Sequence, residues 1–266
     1  MNDAENSDGR VLLECDAEVA TISLCNPGRL NAINLAMWEQ LADALARVSS
    51  DPALRVLVVR GAGTEAFAAG GDLSEFGARR GTVDDAFDYH EGRVAPALAA
   101  LAACPIPTVA MIHGACVGGG LEIAACCDIR IASSLATFGA PILRLGFSMY
   151  AGELAHVMRV VGPELAGEIL LEGRLLHAEE AQRRGLVGRV FAPERLEEET
   201  AAAVRRIAAG APLVARAHKA WMRRIASGAP LTEAEKRASL SLVDSEDYRE
   251  GLDAFFGKRR PAFTGR

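Results

Sequence analysis

The stretch from Pro107 to Asp128 limits what this chain can fold into more than any other. Pro107-Thr-Val-Ala-Met-Ile112 is short and apolar, as a buried strand should be. A few residues on, Gly118, Gly119 and Gly120 remove three side chains in succession. Such a run costs backbone entropy, so it marks a close approach of other backbone or dihedrals that other residues avoid. The helix predicted to follow presents free N–H groups at its start, which attract negative charge and can hold an oxyanion. Glu122 falls in the first turn of that helix. A carboxylate there can act as acid or base, or simply favour the helix dipole, and this stretch by itself supports both readings equally.

A second stretch has the same grammar. Val56-Leu-Val-Val59 reads as another buried strand, followed by Gly61-Ala-Gly63 and then by Phe67-Ala-Ala-Gly-Gly-Asp-Leu73. The small residues Ala68, Ala69, Gly70 and Gly71 again bring backbone close to something. Two separated N–H donors, one from each glycine turn, are what an acyl-transfer oxyanion hole requires.

The rest of the chain reads as α/β as far as residue 192. Val11, Leu13 and Cys15, then Ala20, Ile22 and Leu24, alternate as in a half-buried hairpin. Met37, Leu41, Leu45 and Val48 recur at helical spacing, and Asp51-Pro52 ends that helix. A strand is predicted at Arg55 to Arg60, and residues 82 to 101 read as helical. Asp128 to Ala132, Thr137-Phe138 and Val187 to Phe191 read as further strands. Leu154, Val157, Met158 and Val161 mark an amphipathic helix between them. Alternation of this kind argues for crossovers and an α/β sheet. From Pro193 onward no strand is predicted. Val214, Ala217, Trp221 and Ile225 share one helical face, and Ser245 to Phe256 reads as a last helix.

Half of the 266 residues are hydrophobic, enough for a sizeable core with an appendage. The net charge of -6 argues against nucleic acid as a partner. No apolar run approaches the ~20 residues of a membrane-spanning helix. The six cysteines form no C-x-x-C pair, and most lie in apolar runs. Buried thiols in a reduced, cytoplasmic chain are therefore expected, without a metal site. Residues 1–9 are polar, lack the features of a signal peptide, and are expected to be disordered.

Together these stretches resemble the crotonase superfamily, the enoyl-CoA hydratase/isomerase family. The resemblance is carried by Asn26-Pro27 through Asn31-Ala32, Ala69-Gly-Gly-Asp-Leu73, His113-Gly114 with Gly118-Gly-Gly-Leu-Glu122, and Cys127-Asp128. It continues through Phe138-Gly-Ala-Pro141, Leu145-Gly146, Gly185-Leu-Val187, and Glu250-Gly251 with Lys258-Arg259. Each motif alone is weak, but their order and spacing over nearly the whole chain are specific. The resemblance implies a ClpP-like spiral of ββα units over residues 1–192. It also implies that the helical residues 193–266 pack into a homotrimer, or a dimer of trimers, and cover the active site. No internal sequence repeat shows that spiral independently.

The resemblance further implies a lyase or isomerase that acts on an acyl-CoA thioester through an enolate. Coenzyme A is the substrate's carrier, and no other cofactor is expected. The N–H groups of Gly71 and Gly119 would form the oxyanion hole, each donor worth about 3 kcal/mol in the transition state. Glu122 matches the first acid/base glutamate of the hydratase. The second glutamate is replaced by Ile142, which moves no proton, so a standard two-glutamate hydratase is not expected. A decarboxylase-type member and a catalytically silent acyl-CoA-binding homologue are the alternatives. Tyr150 is a catalytic candidate in the neighbouring loop, by hydrogen bonding or proton transfer, or else a bulky wall of the acyl pocket. Glu153 could supply the lost acid from a new position, although favouring the helix dipole is the preferred reading. Arg29 and Leu30 would lie beside the CoA nucleotide, and the backbone around Ala69, Gly71 and Leu73 beside adenine and pantetheine. Lys258 would reach a phosphate, its own or a neighbouring subunit's. His90 and Glu91 stand on the helix before Pro96, facing either the site or solvent; the lone histidines His90 and His113 read as structural groups, and Asp72 as a loop cap.

Overall fold

The structure is a computed structural model that describes residues 9–266. The expectation of disorder for residues 1–8 lies outside the described residues, whereas Gly9 is buried. The N-terminal alternation becomes an antiparallel hairpin of β1 (Arg10–Asp16) and β2 (Val19–Cys25). Ala20, Ile22 and Leu24 face the core, while Cys15 is exposed on the edge strand, contrary to the expectation for most of the thiols. The other five cysteines are buried and free. Helix α1 (Leu35–Ser50) starts where the Asn34 side chain accepts from the Met37 N–H, and it buries Met37, Trp38, Leu41, Leu45 and Val48 along one stripe.

Strand β3 (Val56–Gly61) runs parallel to β2, and the three-residue β4 (Ala66–Ala68) follows it. Then come α2 (Phe76–Arg79), α3 (Val83–Tyr89), a single π-helical turn at His90–Val94, and α4 (Ala95–Ala103). The central stretch supplies β5 (Thr108–Ile112), β6 (Ala115–Val117) and α5 (Gly119–Cys126). Next are β7 (Ile129–Ser133), β8 (Thr137–Gly139) and α6 (Ala151–Leu171), which breaks at Gly162 ahead of Pro163. Strand β9 (Leu175–His177), α7 (Ala178–Arg183) and β10 (Arg189–Phe191) close this part.

These strands form a six-stranded sheet in the order β1-β2-β3-β5-β7-β10 and a four-stranded sheet in the order β4-β6-β8-β9. The pairs β3/β4, β5/β6 and β7/β8 each send their first strand to the large sheet and their second to the small one, in parallel registers. The chain thus repeats a structural unit that its sequence does not repeat. Strands β4, β6 and β9 were not predicted: each is three residues beside a glycine-rich or helical stretch that masks it.

Beyond Phe191 the described chain is helical: α8 (Leu196–Ala208), α9 (Pro212–Ala226), α10 (Glu233–Ala238) and α11 (Glu246–Phe256). Helix α8 packs Leu196, Ala203 and Val204 on the outer face of the large sheet, against Val56, Val109 and Ile131. In α9 the predicted apolar face is only partly covered, and Ile225 is exposed. The buried side chain of α9 is instead Lys219. Its ammonium lies 2.6 Å from Asp128 Oδ2 and donates to the Ile106 carbonyl at 2.9 Å. Asp128 also accepts from the Thr108 N–H and hydroxyl, so one carboxylate joins β5, β7 and the helical tail.

Lys219 is the buried member of this pair and Asp128 the open one, so removing the carboxylate costs at most about 3–5 kcal/mol, the figure for a fully buried pair, through the charge left on Lys219. Asp128→Ala should therefore lower the urea midpoint by an amount within that bound, with little change in slope. A loss below about 1 kcal/mol would mean that water reaches Lys219.

Candidate active site

The glycine run is explained by two separate constraints. Gly118 precedes α5 at φ 51°, ψ -119°, a conformation that a side chain would strain. A Cβ on Gly120 would lie 2.4 Å from the Ala68 carbonyl oxygen, so the first turn of α5 rests directly on β4. This contact brings both glycine turns to one cavity of about 260 Å³, lined by Gly71 and Gly119 together with Glu122, Ile142 and Glu153. Among the described residues neither the Gly71 nor the Gly119 N–H donates a hydrogen bond. Both are available to an oxyanion.

Every residue of α5 is buried, Glu122 included. Burial pushes its carboxyl well above the usual carboxylate range; the nearby Glu153 pushes it further, and Arg80 opposes both. Glu153 lies in the first turn of α6, yet it is 3% exposed and lines the same cavity. Burial also raises its pKa, again against Arg80. Of the two readings of Glu153, a helix-dipole residue or an acid from a new position, its burial in this cavity fits the second better. A sequence signal existed: Glu153 stands one helical turn before the buried Val157, on the same face. Ile142 occupies the wall as a hydrocarbon.

His90 Nδ1 lies 2.5 Å from Glu153 Oε1. Burial, and then Arg80, depress the imidazole to about 4. The carboxyl is raised and the imidazole lowered, so both shifts run towards the uncharged forms and the contact does not read as an ion pair. The π turn that carries His90 widens the helix here, a local irregularity that recurs at functional positions. No sequence pattern pointed to this contact, which joins residues 63 positions apart.

Tyr150 does not line the cavity. It precedes α6 with its ring stacked on His90 at 5.5 Å, and its hydroxyl donates to Glu91 Oε2 at 2.7 Å. That hydrogen bond raises the phenol's pKa. Tyr150 thus stands one layer behind His90 rather than against the acyl space. Arg29 pairs with Asp72 at 2.9 Å and bonds the Ser74 hydroxyl, and Asp72 caps the following turn through the Ser74 N–H. Ala69 and Leu73 line the cavity, and Leu73, like Leu30, leaves much of its side chain exposed near the rim. Lys258 is exposed and does not line the cavity. All the lining residues fall between Trp38 and Glu153, so the chain's own helical tail contributes none. His113 is buried against a different recess, with its Nε2 unbonded.

Two stacked sheets built from ββα units, with two glycine donors facing one cavity, define an enzyme of the crotonase fold. The family model for enoyl-CoA hydratase/isomerase matches residues 14–266, and the chain belongs to that family. A solved structure of an enoyl-CoA hydratase/carnithine racemase from Magnetospirillum magneticum superposes with a TM-score of 0.94 at 45% identity, covering 96% of each chain. A Rhizobium meliloti protein named "Probable enoyl-CoA hydratase" is 36% identical over 96% of this chain and 98% of its own. The crotonyl-CoA hydratase of Syntrophomonas wolfei is 30% identical over the same shares.

The raised carboxyls couple stability to pH. Unfolded glutamates titrate near about 4.3, so the folded chain keeps protons that the unfolded chain has lost. The associated stability is full below that value and is lost as pH rises through the raised folded values. Glu122→Gln should therefore raise the thermal midpoint more at about pH 8 than at about pH 5. Equal shifts at both would mean that the buried carboxyl does not titrate in between.

Proposed function

We propose that this chain adds water across the double bond of a 2-enoyl-CoA thioester, with Glu122 and Glu153 as its two proton-transfer groups. The observation that carries this reading is the pair of buried carboxyls in the cavity that also holds the Gly71 and Gly119 donors. The N–H groups hold the thioester oxygen as negative charge reaches it. One carboxylate takes a proton from water as the water oxygen bonds to C3. The other carboxylic acid delivers its proton to C2. Turnover needs one member of the pair ionised and the other protonated, and each ionised group disfavours ionisation of the other. The second acid of the reaction thus comes from α6, while the position of Ile142 is left to hydrocarbon.

Decarboxylation needs no pair of proton-transfer groups, and a silent binding protein gains nothing from burying two carboxyls at a cost in stability. The names of the Rhizobium and Syntrophomonas relatives support hydration over either. Arg29, Leu30 and Leu73 lie where the CoA moiety would leave the cavity. In a homotrimer, Lys258 of an adjacent copy would meet its phosphates.

Crotonyl-CoA consumption, followed by loss of the enoyl-thioester absorbance, tests the assignment. Glu122→Gln and Glu153→Gln should each lower kcat by about 10²–10⁴-fold. Their combination should cost little more than either alone, as for groups that act as a unit. Tyr150→Phe should cost less than about tenfold, since its hydroxyl faces Glu91 rather than the cavity. Full activity in Glu153→Gln would remove the second acid from α6 and sink the two-carboxylate reading.

A further inference from the structure

The cavity contains one more charged group, which the hydration chemistry does not use. Arg80 closes α2, its N–H bonded to the Phe76 carbonyl, and its side chain lines the cavity. The guanidinium carbon lies 4.3 Å from the Phe76 ring centre and 4.4 Å from that of Phe147. Phe76 in turn packs beside the oxyanion turn: a Cβ on Gly71 would stand 3.1 Å from the edge of its ring. Arg80 is thus held between two aromatic rings, close to where the thioester must sit. Among the described residues its guanidinium forms no ion pair and donates no hydrogen bond. Its nearest acidic neighbours, Glu122 and Glu153, are both pushed towards the neutral form. A half-buried guanidinium with five donors and no acceptor is costly to maintain unless an anion completes it.

We propose that Arg80 is a specificity residue that binds a carboxylate on the far end of the acyl group, so that the preferred substrates are acyl-CoA thioesters of dicarboxylic acids. The aromatic rings fix the plane of the guanidinium, which suits bidentate binding of a planar carboxylate. The apolar walls between Gly71 and Arg80 accommodate the intervening carbons. The same charge would repel an ammonium-bearing acyl group.

This inference rests on the proposed acyl-CoA site, but its test does not need turnover. Saturated thioesters cannot be hydrated, so calorimetry reads binding alone. Glutaryl-CoA would be compared with pentanoyl-CoA, and adipyl-CoA with hexanoyl-CoA; each pair differs only in carrying a carboxylate or a methyl group at the end. Wild type should bind at least one carboxylated member about tenfold or more tightly than its methyl partner. Arg80→Met should abolish that preference, and Arg80→Lys should restore part of it.

Tighter binding of the methyl-ended member of both pairs by wild type would overturn the proposal. So would an equal loss on both members in Arg80→Met, because a guanidinium that only sets the charge of the glutamates, or meets CoA phosphates, acts on both alike. Failure of the hydration reading would show separately, as wild-type enzyme that binds these thioesters but leaves crotonyl-CoA unchanged.

Discussion

The contact of Gly120 with the Ala68 carbonyl is the constraint on which the site depends. It seats the first turn of α5 on the end of β4 with no side chain between them. Without that approach the donors of Gly71 and Gly119 would belong to two unrelated turns. With it they face one cavity, and α5 becomes buried along its whole length. Burial of α5 in turn takes Glu122 out of water and shifts its ionisation. One steric condition thus sets the position of the donors and the chemistry of the acid beside them.

The electrostatics of the cavity follow from the same exclusion of water. Two carboxyls, one guanidinium and one imidazole share a small space walled mostly by hydrocarbon and aromatic rings. Each carboxyl discourages ionisation of the other, Arg80 encourages both, and His90 is held neutral against Glu153. Such an arrangement is costly to folding, since polar groups are buried without full compensation. If Glu122 transfers a proton as proposed, stability and activity pull in opposite directions there.

The helical tail is joined to this machinery at a distance. Lys219 and Asp128 tie α9 to the ends of β5 and β7, while α8 seals the outer face of the large sheet. Asp128 stands two residues beyond α5, so the same short segment of chain carries the buried Glu122 and the anchor of the tail. Leu240, Phe255 and Phe256 remain exposed on the tail, apolar area that a single chain does not cover.

Much of this protein was legible in its sequence, because local rules govern those parts. Gly118 needs a left-handed backbone, α1 and β2 bury residues at their own periods, and the first turn of a helix after a glycine turn offers free N–H groups whatever the fold. The tail's lack of strands was legible in the same way, and the family resemblance singled out Gly71, Gly119 and Glu122, which the structure gathers round one cavity. Strands β4, β6 and β9 were not legible, since each is three residues masked by a glycine-rich or helical stretch beside it. Glu153 read more readily as a helix-dipole residue than as a displaced acid until α6 turned it onto the face of Val157. Tyr150 read as a residue of the pocket until His90 was found in front of it. Arg80 carried no sequence signal at all. The sequence by itself determined the turns, the periods and the place of Glu122 in the first turn of α5. Only the tertiary structure decided that Glu153, His90 and Arg80 share the cavity with Glu122, because their burial comes from which distant groups exclude water around them.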